Sequence, residues 1–205
     1  MCNDWVVRTE SSRARSTAET RERIVDVALE VLGENPDAGM GEIAVAAGVV
    51  RRTVYGHFPS RLDLVRTLTE RAVTAMSLVL AEADASHPEA DATWAAFVGS
   101  VWPVAYRYRV LLALRRGEFG GTIHELLGPI DELLADLIER GQDAGVFGRH
   151  VPADVLGQVA YGVVFAIADA VGSHEDLGVR AAIVTSLLTL GVPQARAIAL
   201  TDGQP

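Results

Sequence analysis

The 205 residues carry 18 basic side chains, all arginine, against 27 acidic ones, giving a formal charge of -9 with 49% hydrophobic residues. That balance is an ordinary globular one and can bury a core without covalent staples. Cys2 is the sole cysteine, which excludes a disulfide framework or a cysteine metal site within one chain.

The charge is unevenly spread. Residues 1–71 hold ten arginines and eleven acids, whereas residues 72–205 hold eight arginines and sixteen acids. A near-neutral head on an acidic body suits a protein that meets a polyanion at one end only. The first fifteen residues lack a continuous apolar stretch, so no secretory signal is expected. The charge-free runs Val155 to Ala168 and Ala181 to Ala195 fall short of the ~18–20 apolar residues of a membrane span. The expectation is a cytoplasmic protein with no membrane partner.

In chain order, residues 1–17 are polar and irregular and are expected to form a flexible N-terminal arm, with Arg8, Arg13 and Arg15 available to a phosphate backbone. From Ala18 a helical pattern begins. Ile24, Val27, Ala28, Val31 and Leu32 form one apolar stripe, and Asn35, Pro36 and Gly39 end it. A short helix carries Ile43, Ala44 and Ala47, and Gly48 closes it through a left-handed conformation. A second short helix runs from near Val50 to His57. Ser60 then caps a long helix over about 60–85, with Leu62, Val65, Leu68, Ala72 and Met76 turned inward.

Beyond His87 and Pro88, helices are predicted at about 89–106, 109–116, 122–144, 153–171 and 176–191, with glycines or prolines between most of them. No sustained β alternation occurs. The predicted fold is all-α, in three stretches: the arm at 1–17, a three-helix head at 18–66, and a helical body at 67–205.

The stretch Met40 to Arg61 reads as helix, tight turn, helix, with Ile43, Ala44, Ala47, Val54 and Phe58 packing on the first helix. Its outer side then bears Arg51, Arg52, Tyr55 and His57. Arginine can donate two hydrogen bonds to a guanine edge or clamp a phosphate. Threonine, tyrosine and histidine can hold phosphate oxygens.

Ile43-Ala44, Ala47-Gly48-Val49, Thr53-Val54-Tyr55-Gly56-His57-Phe58 and Ser60-Arg61 together resemble the DNA-binding signature of the TetR/AcrR repressor family. The match covers Ile24 to Val65. The resemblance implies base contacts from Arg51 and Arg52, and phosphate contacts from Thr53, Tyr55 and His57. Arg61 stands where the family usually has a phosphate-binding lysine. Val50 replaces a frequent capping serine, Gly41 a polar or basic contact, and Met40 a common threonine. The resemblance further implies double-stranded operator DNA, a homodimer and a small-molecule effector as partners, with the heads near one helical turn apart on a pseudo-palindromic site.

The body offers some support for this. Segments 153–171 and 176–191 are apolar around much of their circumference, which pairing with a second copy would bury. Trp94, Phe97, Trp102 and Tyr106 lie near helical spacing, and Tyr161, Phe165 and Asp169 follow at i+4 steps; these are the ligand-contact candidates, against a plain core reading. Other classes find less. His57, His87, His124, His150 and His174 are scattered, and His124-Glu125 lacks a second histidine. No cofactor, metal site or catalytic constellation is expected. A helical adaptor without DNA binding is the alternative, resting on the Val50 and Gly41 departures, and an all-helical enzyme using scattered carboxylates is a more distant one.

Overall fold

The computed structural model describes residues 3–171 and 177–202, with side chains from residue 15 onward. Ten helices and no strand occur among the described residues: α1 (Asn3–Glu34), α2 (Met40–Ala46), α3 (Arg51–His57), α4 (Arg61–Ser86), α5 (Ala90–Arg107), α6 (Val110–Arg115), α7 (Gly120–Asp143), α8 (Ala153–Ala170), α9 (Val179–Thr189) and α10 (Gln194–Ala199). The chain divides into two compact units, one ending at Leu68 and the other beginning at Thr69.

The first unit is a small helical head. Ile24, Ala28 and Leu32 of α1, Ile43 and Ala44 of α2, Val54 of α3, and Leu64, Val65 and Leu68 of α4 are buried. Phe58, just past α3, closes this core at 1% exposure, and the Arg21 guanidinium lies 5.0 Å from its ring centre. Helix α1 begins well before the Ala18 start read from apolar periodicity. Residues 3–17 contain no glycine or proline, so nothing breaks a polar helix there, and a polar helix leaves no hydrophobic stripe to detect. The side chains of Arg8 and Arg13 lie outside the described residues, as do Cys2, Gly172 and His174.

Helix α2 ends as its sequence demands. Gly48 takes φ 65°, its N–H donates to the Val45 carbonyl at 3.1 Å, and the Val49 N–H donates to the Ala44 carbonyl at 3.0 Å. This paired closure satisfies two carbonyls that the helix end would otherwise leave bare. Ser60 caps α4: its hydroxyl accepts from the Asp63 N–H at 3.2 Å, while the Asp63 carboxylate accepts from the Ser60 N–H at 2.9 Å. Leu62, expected inward, is 37% exposed, and Leu64 is buried instead.

In the second unit α8 packs against α7, α9 and α5, and α5 also packs against α9. Trp94 of α5 is fully buried, and its indole N–H donates to the Ser186 hydroxyl of α9 at 2.9 Å. Asp91 at the start of α5 accepts from Arg196 of α10 at 2.8 and 3.2 Å, fastening the last helix to the bundle. The loop after α7 is tied by Gln142, whose amide donates to the Gly148 and Val151 carbonyls at 2.9 and 3.1 Å. Gly141 is required beside it, since a Cβ there would stand 2.1 Å from the Phe147 ring. Helix α8 is long and apolar enough to cross a membrane by length and composition alone. Its residues Leu156, Ala160, Val164 and Ala168 are buried, as in the central helix of a bundle. Val155 and Val159 on α8 and Leu188 on α9 remain 43 to 51% exposed.

Candidate nucleic-acid interface

Helix α3 has seven residues and is anchored by one, Val54, which is fully buried. With Phe58 buried four residues later, the helix is pinned along one side. Arg51, Arg52 and Tyr55 therefore stand in solvent, while Thr53 and His57 are half-buried at the flanks. The five expected contact residues on α3 thus fall on or beside its free side.

Two of them are coupled. The Arg51 guanidinium donates to the Tyr55 hydroxyl at 3.3 Å and lies 5.4 Å from the centre of its ring. Hydrogen bonding to Tyr55 pushes the Arg51 guanidinium up from its ordinary value, so its positive charge is secure. A guanidinium resting on a phenol keeps donor N–H groups for a base edge or phosphate, and loses less side-chain freedom on binding.

Arg61 is placed differently from the other candidates. Its guanidinium donates to the Pro36 and Asp37 carbonyls in the loop between α1 and α2. In this geometry it braces the head. Val50 is the residue before α3 and makes no side-chain cap bond. Val45, 81% exposed, was given no role by the sequence, and Val50, 69% exposed, was read only as a missing cap. Apolar side chains at such a surface suit thymine methyl groups; their exposure was the missing signal, and it is not readable from residue type.

The aromatic candidates of the body separate into three groups. Trp94 and Phe97 are fully buried core, with ring centres 5.9 Å apart. Trp102 is half-buried, and Tyr106 is exposed beneath the Arg109 guanidinium at 4.5 Å. Tyr161 and Phe165, with ring centres 4.7 Å apart, line a small cavity. Asp169 is exposed and does not line it.

Met76, Leu111, Ile123 and Leu127 supply most of the remaining wall, and Arg115 is there too. Tyr161 is buried, and burial pushes its phenol far up from the ordinary tyrosine range. Its hydroxyl donates to the Met76 Sδ at 2.8 Å. Asp131 of α7 is also pushed up by burial, opposed by the positive charge of Arg115 and by His124. Sequence reasoning missed Arg115, Asp131 and the α6 and α7 walls, because no local spacing joins them to α8. No group of three metal-ligating side chains occurs among the described residues.

Residues 24–68 match the family model described as bacterial regulatory proteins, tetR family. The transcriptional repressor LfrR of Mycolicibacterium smegmatis is 40% identical over 73 residues, 36% of this chain and 39% of the relative. The chain therefore matches about two-fifths of that relative's length. Among solved structures, the TetR-like regulator LfrR from Mycobacterium smegmatis in complex with proflavine is 24% identical, with a TM-score of 0.68 over 87% of this chain and 96% of that one. RolR in complex with resorcinol is 19% identical, with a TM-score of 0.62 over 94% of this chain and 97% of that one. These two likenesses establish the fold: an N-terminal helix-turn-helix followed by a helical body.

Proposed function

We propose that this chain, which belongs to the tetR family of bacterial regulatory proteins through its residues 24–68, is a cytoplasmic, effector-released repressor that binds a pseudo-palindromic operator as a homodimer. The observation that carries the reading is the free side of α3. Arg51, Arg52 and Tyr55 are exposed on a helix pinned from behind by Val54 and Phe58. A short helix so presented fits the major groove, where arginine reads guanine and neighbouring hydroxyls and ring nitrogens hold phosphates.

In this reading Arg51 and Arg52 contact bases, and Thr53, Tyr55 and His57 contact phosphates. The domain at 18–66 binds DNA and that at 67–205 binds effector and partner. Val155, Val159, Gly162 and Ala166 form an exposed apolar strip along one side of α8, which a second copy covers together with the exposed Leu188 of α9. The effector enters the cavity bounded by Tyr161 and Phe165. Proflavine and resorcinol, seen with the two structural relatives, make aromatic molecules a reasonable class to screen first.

Release then works through α4. Ala72 and Met76 of that helix line the cavity. A few kcal/mol of differential affinity suffice to move such an equilibrium.

Selection of bound sequences from a random duplex pool, followed by fluorescence anisotropy across a salt series, tests the reading. A steep salt dependence is expected. Arg51→Ala is expected to cost about 1–3 kcal/mol of specific affinity and relax preference at one base pair. Absence of salt-sensitive affinity for any duplex would defeat the proposal.

A further inference from the structure

The body cavity is almost wholly apolar, and the few polar groups at its wall are donors. Its wall is aliphatic and aromatic apart from the Tyr161 hydroxyl and the Arg115 guanidinium, and both of these donate. The Tyr161 hydroxyl is spent on the Met76 thioether at 2.8 Å. Thioether sulfur is a weak acceptor, so a buried phenol held this way gains from a ligand oxygen in its place.

Both signs of charge already act on the site: Arg115 borders the cavity, and the half-buried Asp131 acts on the Tyr161 phenol against it. An added anion would confront that carboxylate. An added cation would confront Arg115. The room left for the centre of a water molecule is about 30 Å³, so even one aromatic ring must part the walls, which favours a small body over a large one.

We infer that the cavity takes a small, uncharged, mainly apolar molecule of about one aromatic ring, which brings a single acceptor oxygen to the Tyr161 hydroxyl and displaces the Met76 sulfur from it. The inference rests on the reading of the body as the effector-binding part, and it narrows the effector to a chemical class: aryl ketones, esters, lactones or phenols.

Three probes of equal ring size separate the classes: acetophenone, benzoate and benzylammonium, each titrated calorimetrically into the full chain without DNA. Acetophenone is expected to bind at least about tenfold more tightly than either ion, because neither ion recovers its lost hydration in the cavity. Tyr161→Phe is expected to weaken acetophenone about three- to tenfold. Met76→Leu conserves volume and removes the competing acceptor, so it is expected to tighten acetophenone about two- to tenfold. Opposite signs from two substitutions in one wall would not arise from general loosening, and matched thermal melts of the variants check that both fold.

Tighter binding of benzoate or benzylammonium overturns the inference. So does an unchanged affinity in Tyr161→Phe, or a failure of all three probes to bind. Acetophenone binding that depends on Tyr161 but leaves the operator complex intact supports the ligand class and defeats effector release instead.

Discussion

Gly48 and Gly56 stand eight positions apart within one motif, and the same substitution at each should move stability in opposite directions. Gly48 has φ 65°, and a Cβ built there meets no atom within 4 Å. The cost of Gly48→Ala is therefore backbone strain alone, about 1–2 kcal/mol for an L-residue in the left-handed region. Gly56 lies inside α3, is exposed, and also has open space around a built Cβ. Replacing glycine by alanine in a helix gains up to about 1 kcal/mol. Position 56 is one residue from the end of its helix, so about 0.5 kcal/mol is the fitting figure. The two variants should differ by about 2 kcal/mol, read from urea unfolding midpoints at constant slope. A neutral Gly48→Ala would refute the assignment of the left-handed turn. Gly56→Ala carries a second reading. If α3 approaches a phosphate backbone at Gly56, operator affinity falls while stability rises, so binding and folding part company in a single variant.

Other substitutions test single contacts. Val50 has extended backbone, φ -76° and ψ 149°, and makes no cap bond, so Val50→Ser should stabilise by about 1 kcal/mol in the same urea assay; no gain would mean that the first amides of α3 already have partners. Arg61→Ala should destabilise the head by about 1–2 kcal/mol through loss of its bonds to the Pro36 and Asp37 carbonyls. Unchanged stability with weakened binding to all duplexes would assign Arg61 to phosphate rather than to bracing. Arg196→Ala should cost about 2 kcal/mol, because Asp91 is 6% exposed while Arg196 is 49% exposed and partly screened. A double-mutant cycle with Asp91→Asn isolates that pair, and additive losses would deny the coupling.

The features legible in the sequence are those written in local spacing. The Gly48 turn, the Ser60 cap and the buried positions Ile24, Ala28, Ile43 and Val54 follow from periodicity and from what each residue type can do at a helix end. Leu62 was misjudged because it and Leu64 flank opposite edges of the Val65–Leu68–Ala72–Met76 stripe on α4, and only packing decides which edge is covered. Polar residues 3–17 extend α1 without an apolar stripe to announce it. The Tyr161–Phe165 step was readable as i+4, yet Asp169 at the next step faces solvent, because a straight i+4 row drifts around the helix. The cavity was not readable at all. Its walls come from α4, α6, α7 and α8, and Arg115 comes within electrostatic reach of Asp131 only once α6 and α7 have packed.

One amide in the body has a chemistry of its own. The side-chain nitrogen of Gln142 points at two backbone oxygens, those of Gly148 and Val151, and can satisfy both because it carries two hydrogens. Hydrolysis to glutamate would exchange that nitrogen for an oxygen without altering the outline of the side chain. In the ionised acid the same space would hold three lone-pair-bearing atoms and no proton between them, and a fastener would have become a wedge in the loop between α7 and α8.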